Sequence, residues 1–295
     1  MKRSVAPQCL SRPLSRLYRQ LILGAEVLAF AALATSMTGA PSGGYLVELS
    51  TRGYSGLGLD ALIAGFITTG STPKTLVVRG LGPSLPLAHT LPDPDLAMYT
   101  ISQGLVGYND DWGDTQRSEI LSVGLAPADE DEAAILTTLS AKPYTAVLYG
   151  EGLGAGTSLV EIYDLNPGPD SRLSNISTRG LVQTGSNVLI AGFIIAGDAP
   201  LDVILRAIGP SMSDVVGGTL ANPTLELYDA NGDSLAFNDN WRQDQEEEVS
   251  ATGIPPEDNA ESAIVGSLSP GAYTAVVRGT GVNTGLALVE VYALD

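Results

Sequence analysis

The sequence predicts an all-β protein: two tandem antiparallel β-sandwiches of jelly-roll type, built by internal duplication and preceded by a signal peptide. Three observations carry this. Short apolar runs of period two recur along the chain, turn residues separate them, and the pattern of the first half returns in the second.

The leader comes first, over residues 1–40. Lys2, Arg3, Arg12, Arg16 and Arg19 make a basic start, and Leu21 to Ala34 is apolar apart from Glu26. Small residues follow, with cleavage expected after Ala40 or after Ser36. The apolar stretch falls short of the ~20 residues that span a bilayer, so it reads as an export signal, with an uncleaved anchor as the alternative. Cys9 precedes that stretch and is the only cysteine. The exported part would therefore hold no thiol, which suits an oxidising compartment. The expected location is secreted, extracellular or at the surface of a bacterium, the periplasm being the other compartment such a leader reaches.

Charge narrows the classes further. The 295 residues carry 15 Lys plus Arg against 33 Asp plus Glu, a net charge of −18. From Pro41 onward the count is 10 basic against 32 acidic residues, net −22. A nucleic-acid partner is excluded on that balance, and no membrane contact is expected once the leader is removed. One His and one Cys cannot make a Cys/His metal cage, while 44% hydrophobic residues suffice for folded cores.

The duplication is read from ordered matches. Ser50-Thr51-Arg52-Gly53 returns as Ser177-Thr178-Arg179-Gly180, 127 residues on. At the same offset, Leu62 to Ile67 returns as Leu189 to Ile194, and Arg79-x-x-Gly82-Pro83-Ser84 as Arg206-x-x-Gly209-Pro210-Ser211. A two-residue insertion between Ser211 and Pro223 then raises the offset to 129. Asn109-Asp110-Asp111-Trp112 becomes Asn238-Asp239-Asn240-Trp241, and Leu159 to Tyr163 becomes Leu288 to Tyr292. The expected domains are 45–165 and 174–295, joined by a Pro/Gly linker over 166–173. Each is long enough to own a core.

Within a copy, Leu225 to Tyr228, Thr274 to Val277 and Leu288 to Tyr292 have strand character. Asp229-Ala230-Asn231-Gly232-Asp233 and Ser269-Pro270-Gly271 are turns. Some eight strands per copy are expected, with short helices near Arg117–Val123 and Gln245–Ser250.

The run from Asn222 to Asn240, followed by Leu268 to Val277, resembles the bacterial pre-peptidase C-terminal domain. That family has a matching Asp-Ala-Asn-Gly hairpin and a Gly-x-Tyr strand. The fuller repeat is similar to tandem modules of secreted bacterial proteins. The resemblance implies an exported accessory sandwich, in some members calcium-bound, although no peptidase domain accompanies the modules here.

Candidate chemistry is thin. His89 has no counterpart in the second copy and reads as a loop residue, not the base of a Ser/His/Asp set. Gly-Pro-Ser is not a nucleophile elbow. Carboxylates are plentiful enough for a glycosidase, but the loops look too short for its cleft. The glycine run 150–156 joins two strands without a helix and is a turn. Calcium is the cofactor worth weighing, against none at all. Asn109, Asp110 and Asp111, with Asn238, Asp239 and Asn240, offer hard oxygen ligands at equivalent positions, as do Glu132 and Glu261. Asp229, Asn231 and Asp233 have alternate-position spacing, but Gly232 is misplaced for an EF-hand and the favoured reading is a solvated hairpin with Asx-type turn bonds. Trp112 and Trp241 read as edge or core packing residues, with a sugar-stacking platform as the alternative.

Two ion pairs are expected. Arg79 and Arg206 end apolar runs, and Glu161 and Glu290 lie inside apolar strands. Burial of such groups calls for pairing, Arg79 with Glu161 and Arg206 with Glu290, with Arg52 and Arg179 as rival partners. No catalytic residue is assigned. The sequence thus predicts a non-catalytic structural, adhesive or matrix protein with a protein or polysaccharide partner at the cell surface. A carbohydrate-binding module, calcium-dependent or not, is the first alternative and a secreted hydrolase the second.

Overall fold

A computed structural model describes residues 43–152, 154–168 and 170–294. The leader expected over 1–40 lies outside them. The chain is all-β. Its first half runs β1 (Gly44–Ser55), β2 (Leu62–Gly70), β3 (Lys74–Leu81), β4 (Pro94–Thr100), β5 (Gly104–Asn109), α1 (Arg117–Ser122), β6 (Ala133–Leu139), β7 (Pro143–Gly150) and β8 (Gly156–Asp164). The second half repeats the order: β9 (Ser171–Val182), β10 (Leu189–Gly197), β11 (Leu201–Ile208), β12 (Pro223–Asp229), β13 (Ser234–Asn238), α2 (Glu246–Ala251), β14 (Ser262–Leu268), β15 (Gly271–Gly279) and β16 (Gly285–Ala293). Alternation produces these strands. In β12, Pro223, Leu225 and Leu227 are buried while Thr224, Glu226 and Tyr228 between them are not. β9 begins at Ser171, inside the stretch expected as a linker, because Ser171, Arg172 and Leu173 already pair with β2.

Each half contributes two four-stranded sheets. In the first, β5-β4-β7-β2 and β1-β8-β3-β6 pair in those orders, all antiparallel. In the second, the equivalents are β13-β12-β15-β10 and β9-β16-β11-β14. The halves then join along both sheets. β1 pairs with β10 from Gly44–Gly197 to Arg52–Ile190, and β2 pairs with β9 from Ile63–Arg179 to Gly70–Ser171. Two eight-stranded paths result, linked by parallel bridges between β1 and β9 at Leu46–Leu173 and Tyr54–Leu181.

The sandwiches therefore do not own separate cores. One cluster holds Leu49, Phe66 and Leu148 of the first half together with Phe193, Leu205 and Val289 of the second. The physical reason is the long strands β1, β2, β9 and β10. Left as edges, they would expose rows of main-chain donors and acceptors, and pairing across the halves satisfies these. Phe66 stacks on Tyr144 at 5.5 Å, and the equivalent residues Phe193 and Tyr273 stack at 5.4 Å. The buried hydroxyls of Thr51 and Thr178, equivalent residues, meet at 3.3 Å.

Two outer edges are covered by side chains. The amide of Gln116 bonds both the N–H and the C=O of Leu136 in β6, and Gln245 does the same for Val265 in β14. Asn109 and Asn238 accept from the N–H groups of Ala134 and Ala263 on the same edges.

Candidate functional site

The loops between β5 and β6, and between β13 and β14, hold several of the duplicated residues. Trp112 and Trp241 are buried, 4% and 2% exposed, and their indole N–H groups donate to the carbonyls of Asp129 and Asp258. Arg117 and Arg242 lie over their rings at 4.5 and 4.0 Å. The tryptophans therefore pack the loop onto the sandwich and present no sugar platform. Glu132 and Glu261 are wholly buried. Glu132 Oε1 accepts from the N–H groups of Gly82 (2.9 Å) and Ser84 (3.0 Å) and from the Ser84 hydroxyl (2.7 Å). Glu261 repeats this with Gly209 and Ser211. The repeated Gly-Pro-Ser is thus a cradle for a carboxylate. Glycine is required there: a Cβ on Gly82 or Gly209 would lie 2.0 or 2.1 Å from a carbonyl oxygen.

The paired charges are placed as follows. Arg79 Nε donates to Glu161 at 2.7 Å, and Arg206 forms an ion pair with Glu290, both carboxylates being buried. Burial pushes Glu161 up and Arg79 opposes it, while Tyr163, beside the same carboxylate, is raised as well. Arg52 and Arg179 instead reach the carbonyls of Ser186 and Leu59, each crossing to the other half. A further buried pair, Lys74–Asp164 at 2.8 Å, has no duplicated signal in the sequence to announce it. His89 is exposed in the loop before β4, with φ at 58°.

Seven of the nine residues proposed as calcium ligands fall into three groups. Asn109 and Asn238 are buried and hold strand edges through their carbonyls, and their amides bond the carbonyls of Asp111 and Asn240, so neither faces a ligand. Asp229 accepts from the N–H groups of Asn231 and Asp233, a turn that closes the β12–β13 hairpin and holds Asp229 below the usual carboxylate range. Asp110 and Asp111 are different. Their carboxylate oxygens lie within 4.8 Å of one another and of Asp93, just ahead of β4. Burial, then the neighbouring carboxylates Asp95, Asp111 and Asp93, push Asp110 up to about 6. Burial and the Glu151 carboxyl push Asp93 to about 6.

Tyrosines border this cluster. Tyr108 of β5, 43% exposed, donates to Asp95 of β4, and Tyr149 of β7 stands opposite Asp95. Tyr99 shares that face of β4 and packs with Tyr149 against Ile63 and Val147. Burial, then nearby carboxylates, raises both Tyr108 and Tyr149. The second half lacks the arrangement. Asn222, Thr224, Phe237, Asn240 and Thr280 stand at the positions of Asp93, Asp95, Tyr108, Asp111 and Glu151, and the Thr280 hydroxyl lies 3.3 Å from Asp239. Comparing the two copies position by position would have found the set, since carboxylates accumulate in only one of them. Three carboxylates with further oxygens nearby suit a hard divalent cation and offer nothing to a soft one.

No family model matches the chain, and no curated protein matches it. Among solved structures it is similar to the major capsid protein P2 of bacteriophage PM2, at 12% identity over 83% of this chain and 98% of that one, TM-score 0.22. It is also similar to a chain in the atomic structure of Sulfolobus Turreted Icosahedral Virus, at 9% identity over 85% and 91%, TM-score 0.23. A DUF4785 family protein of Legionella pneumophila matches at 11% identity over 90% and 88%, TM-score 0.23. Likeness at this level carries no statement about the present chain.

Proposed function

We propose that the chain is an exported, non-catalytic protein with a structural, adhesive or matrix role at a bacterial surface, made by duplication of a β-sandwich unit. The observation that carries this reading is the fusion of the halves: one core and two shared sheets make a stiff block rather than two mobile modules. The leader-like start, the acidity and the resemblance to pre-peptidase C-terminal domains support export.

The first half adds a second reading, carbohydrate binding assisted by calcium. It is favoured by the carboxylates of Asp93, Asp110 and Asp111 lying together, with Tyr108 and Tyr149 near Asp110. Aromatic faces and carboxylates together are what a sugar's apolar and hydroxyl faces require. The test is thermal unfolding of the exported chain in calcium and in EDTA, followed by a glycan array on the same sample. Calcium stabilisation that Asp110→Asn removes, with glycan signal lost in EDTA, supports the second reading. An unchanged midpoint and an empty array leave the structural role alone.

A further inference from the structure

The first half buries an amine against a carboxylate. Lys74 opens β3 and Asp164 closes β8, and the pairing of Asp164 with Leu76 brings the two side chains together. Those side chains are 0% and 1% exposed, and Lys74 Nζ lies 2.8 Å from Asp164 Oδ2. Nζ also donates to the Asn166 carbonyl at 3.0 Å, while the Asn166 N–H donates to Asp164 Oδ1 at 3.0 Å. Asn166 is itself pinned to the start of β3, its Oδ1 accepting from the Thr75 N–H at 2.7 Å.

The fold does not need ions at this place. In the second half Leu201 and Ala293 stand at the equivalent positions, and both pack with the shared core. An ion pair taken wholly out of water is costly, and a matched apolar pair is often the more stable choice. Burial pushes the Asp164 carboxyl up, against the opposing effects of Lys74 and the Asn166 N–H. Transfer of one proton from Nζ to Oδ2 turns the pair into an amine and a carboxylic acid, the uncharged forms that a dry site favours.

We infer that Lys74 and Asp164 condense to an amide, a covalent cross-link between β3 and β8. The step balances without a co-reactant. After the first proton transfer Nζ attacks Cγ, one bond beyond Oδ2, and the negative charge that develops on Oδ1 meets the Asn166 N–H already bonded to it. Oδ2 takes a second proton from Nζ and leaves as water. A C–N bond thus replaces a C–O bond, and both charges vanish. Holding amine and acid in contact supplies the encounter that free reactants lack, and exclusion of bulk water removes the reagent that would reverse the reaction. The bond ties together residues 90 positions apart in the sequence.

Peptide mass spectrometry of the full chain, purified in its folded state, tests this. The expected product of tryptic digestion is a branched peptide that joins residues 74 and 164, lighter by one water than its two parts, with no cleavage after Lys74. Lys74→Arg keeps the cation but supplies no nucleophile, because a guanidinium does not give up its proton, and should abolish the branch. The double substitution Lys74→Leu with Asp164→Ala matches the residues of the second half, so it should fold, by circular dichroism, and digest to linear peptides only. Linear peptides alone from a wild type with the same circular dichroism overturn the inference. A water lost equally from Lys74→Arg overturns its assignment to this pair.

Discussion

At the scale of single residues, the two halves show how burial decides the fate of a charge. Arg206 and Glu290 form an ion pair inside the sandwich. Arg206→Met leaves a buried carboxylate without its cation and is expected to cost about 3–5 kcal/mol in urea unfolding. The double substitution Arg206→Met with Glu290→Leu should recover most of that loss, because a matched apolar pair replaces a matched ionic one. A double mutant no better than the single would show that the pair's value lies elsewhere. Asp93 and Asp110 behave in the opposite sense. Folding raises each to about 6 from an unfolded value near 3.9. Between these values the folded state holds more protons, so stability falls as pH rises from about 4 to 6, and the penalty is complete above 6. In EDTA, the wild type should gain midpoint temperature from pH 7.5 to pH 5 relative to Asp110→Asn. Parallel curves for the two proteins would contradict this. The ion pairs were legible in the sequence because each charge interrupts an apolar run. The carboxylate cluster was only half legible: Asp110 and Asp111 stand in a repeated motif, whereas Asp93 reaches them through the β4–β5 pairing, which no local pattern encodes.

At the scale of elements, edge strands explain the polar residues that the sequence made look like ligands. Asn109 and Gln116 cover β6, and Asn238 and Gln245 cover β14, occupying main-chain groups that would otherwise template another strand. Gln116→Ala or Gln245→Ala should therefore give concentration-dependent oligomers in light scattering with a small loss of monomer stability, about 1 kcal/mol or somewhat more. Monomers at every concentration would show that the edge is guarded by something else. Strand positions and the two short helices were readable from alternation and turn residues. The purpose of Asn109, Gln116 and Glu132 was not, because a side chain that imitates a neighbouring strand, or fills a nest of main-chain N–H groups, leaves the same sequence trace as a metal ligand.

At the scale of the molecule, the halves depend on one another. Residues 43–165 alone would expose β1 where β10 belongs and β2 where β9 belongs, and would open the shared core. Such a fragment is expected not to form a folded monomer; circular dichroism with sedimentation at low concentration checks this, and a compact monomeric fragment would contradict it. The repeat itself was plain in the sequence, but the join was not. Leu62 to Ile67 and Leu189 to Ile194 are apolar on both faces, which announces burial without saying which strand lies alongside.

The placement of β1 and β16 has a mechanical meaning. β1 runs parallel to β9 and β16 antiparallel to it, so Gly44 and Ala293 come to the same end of the sheets. Tension between those two residues pulls across the strands, along the hydrogen bonds of their ladders. The bonds then open one after another, like a zip. Load applied there peels the block from one end, whereas load along the strands would have to shear whole ladders at once.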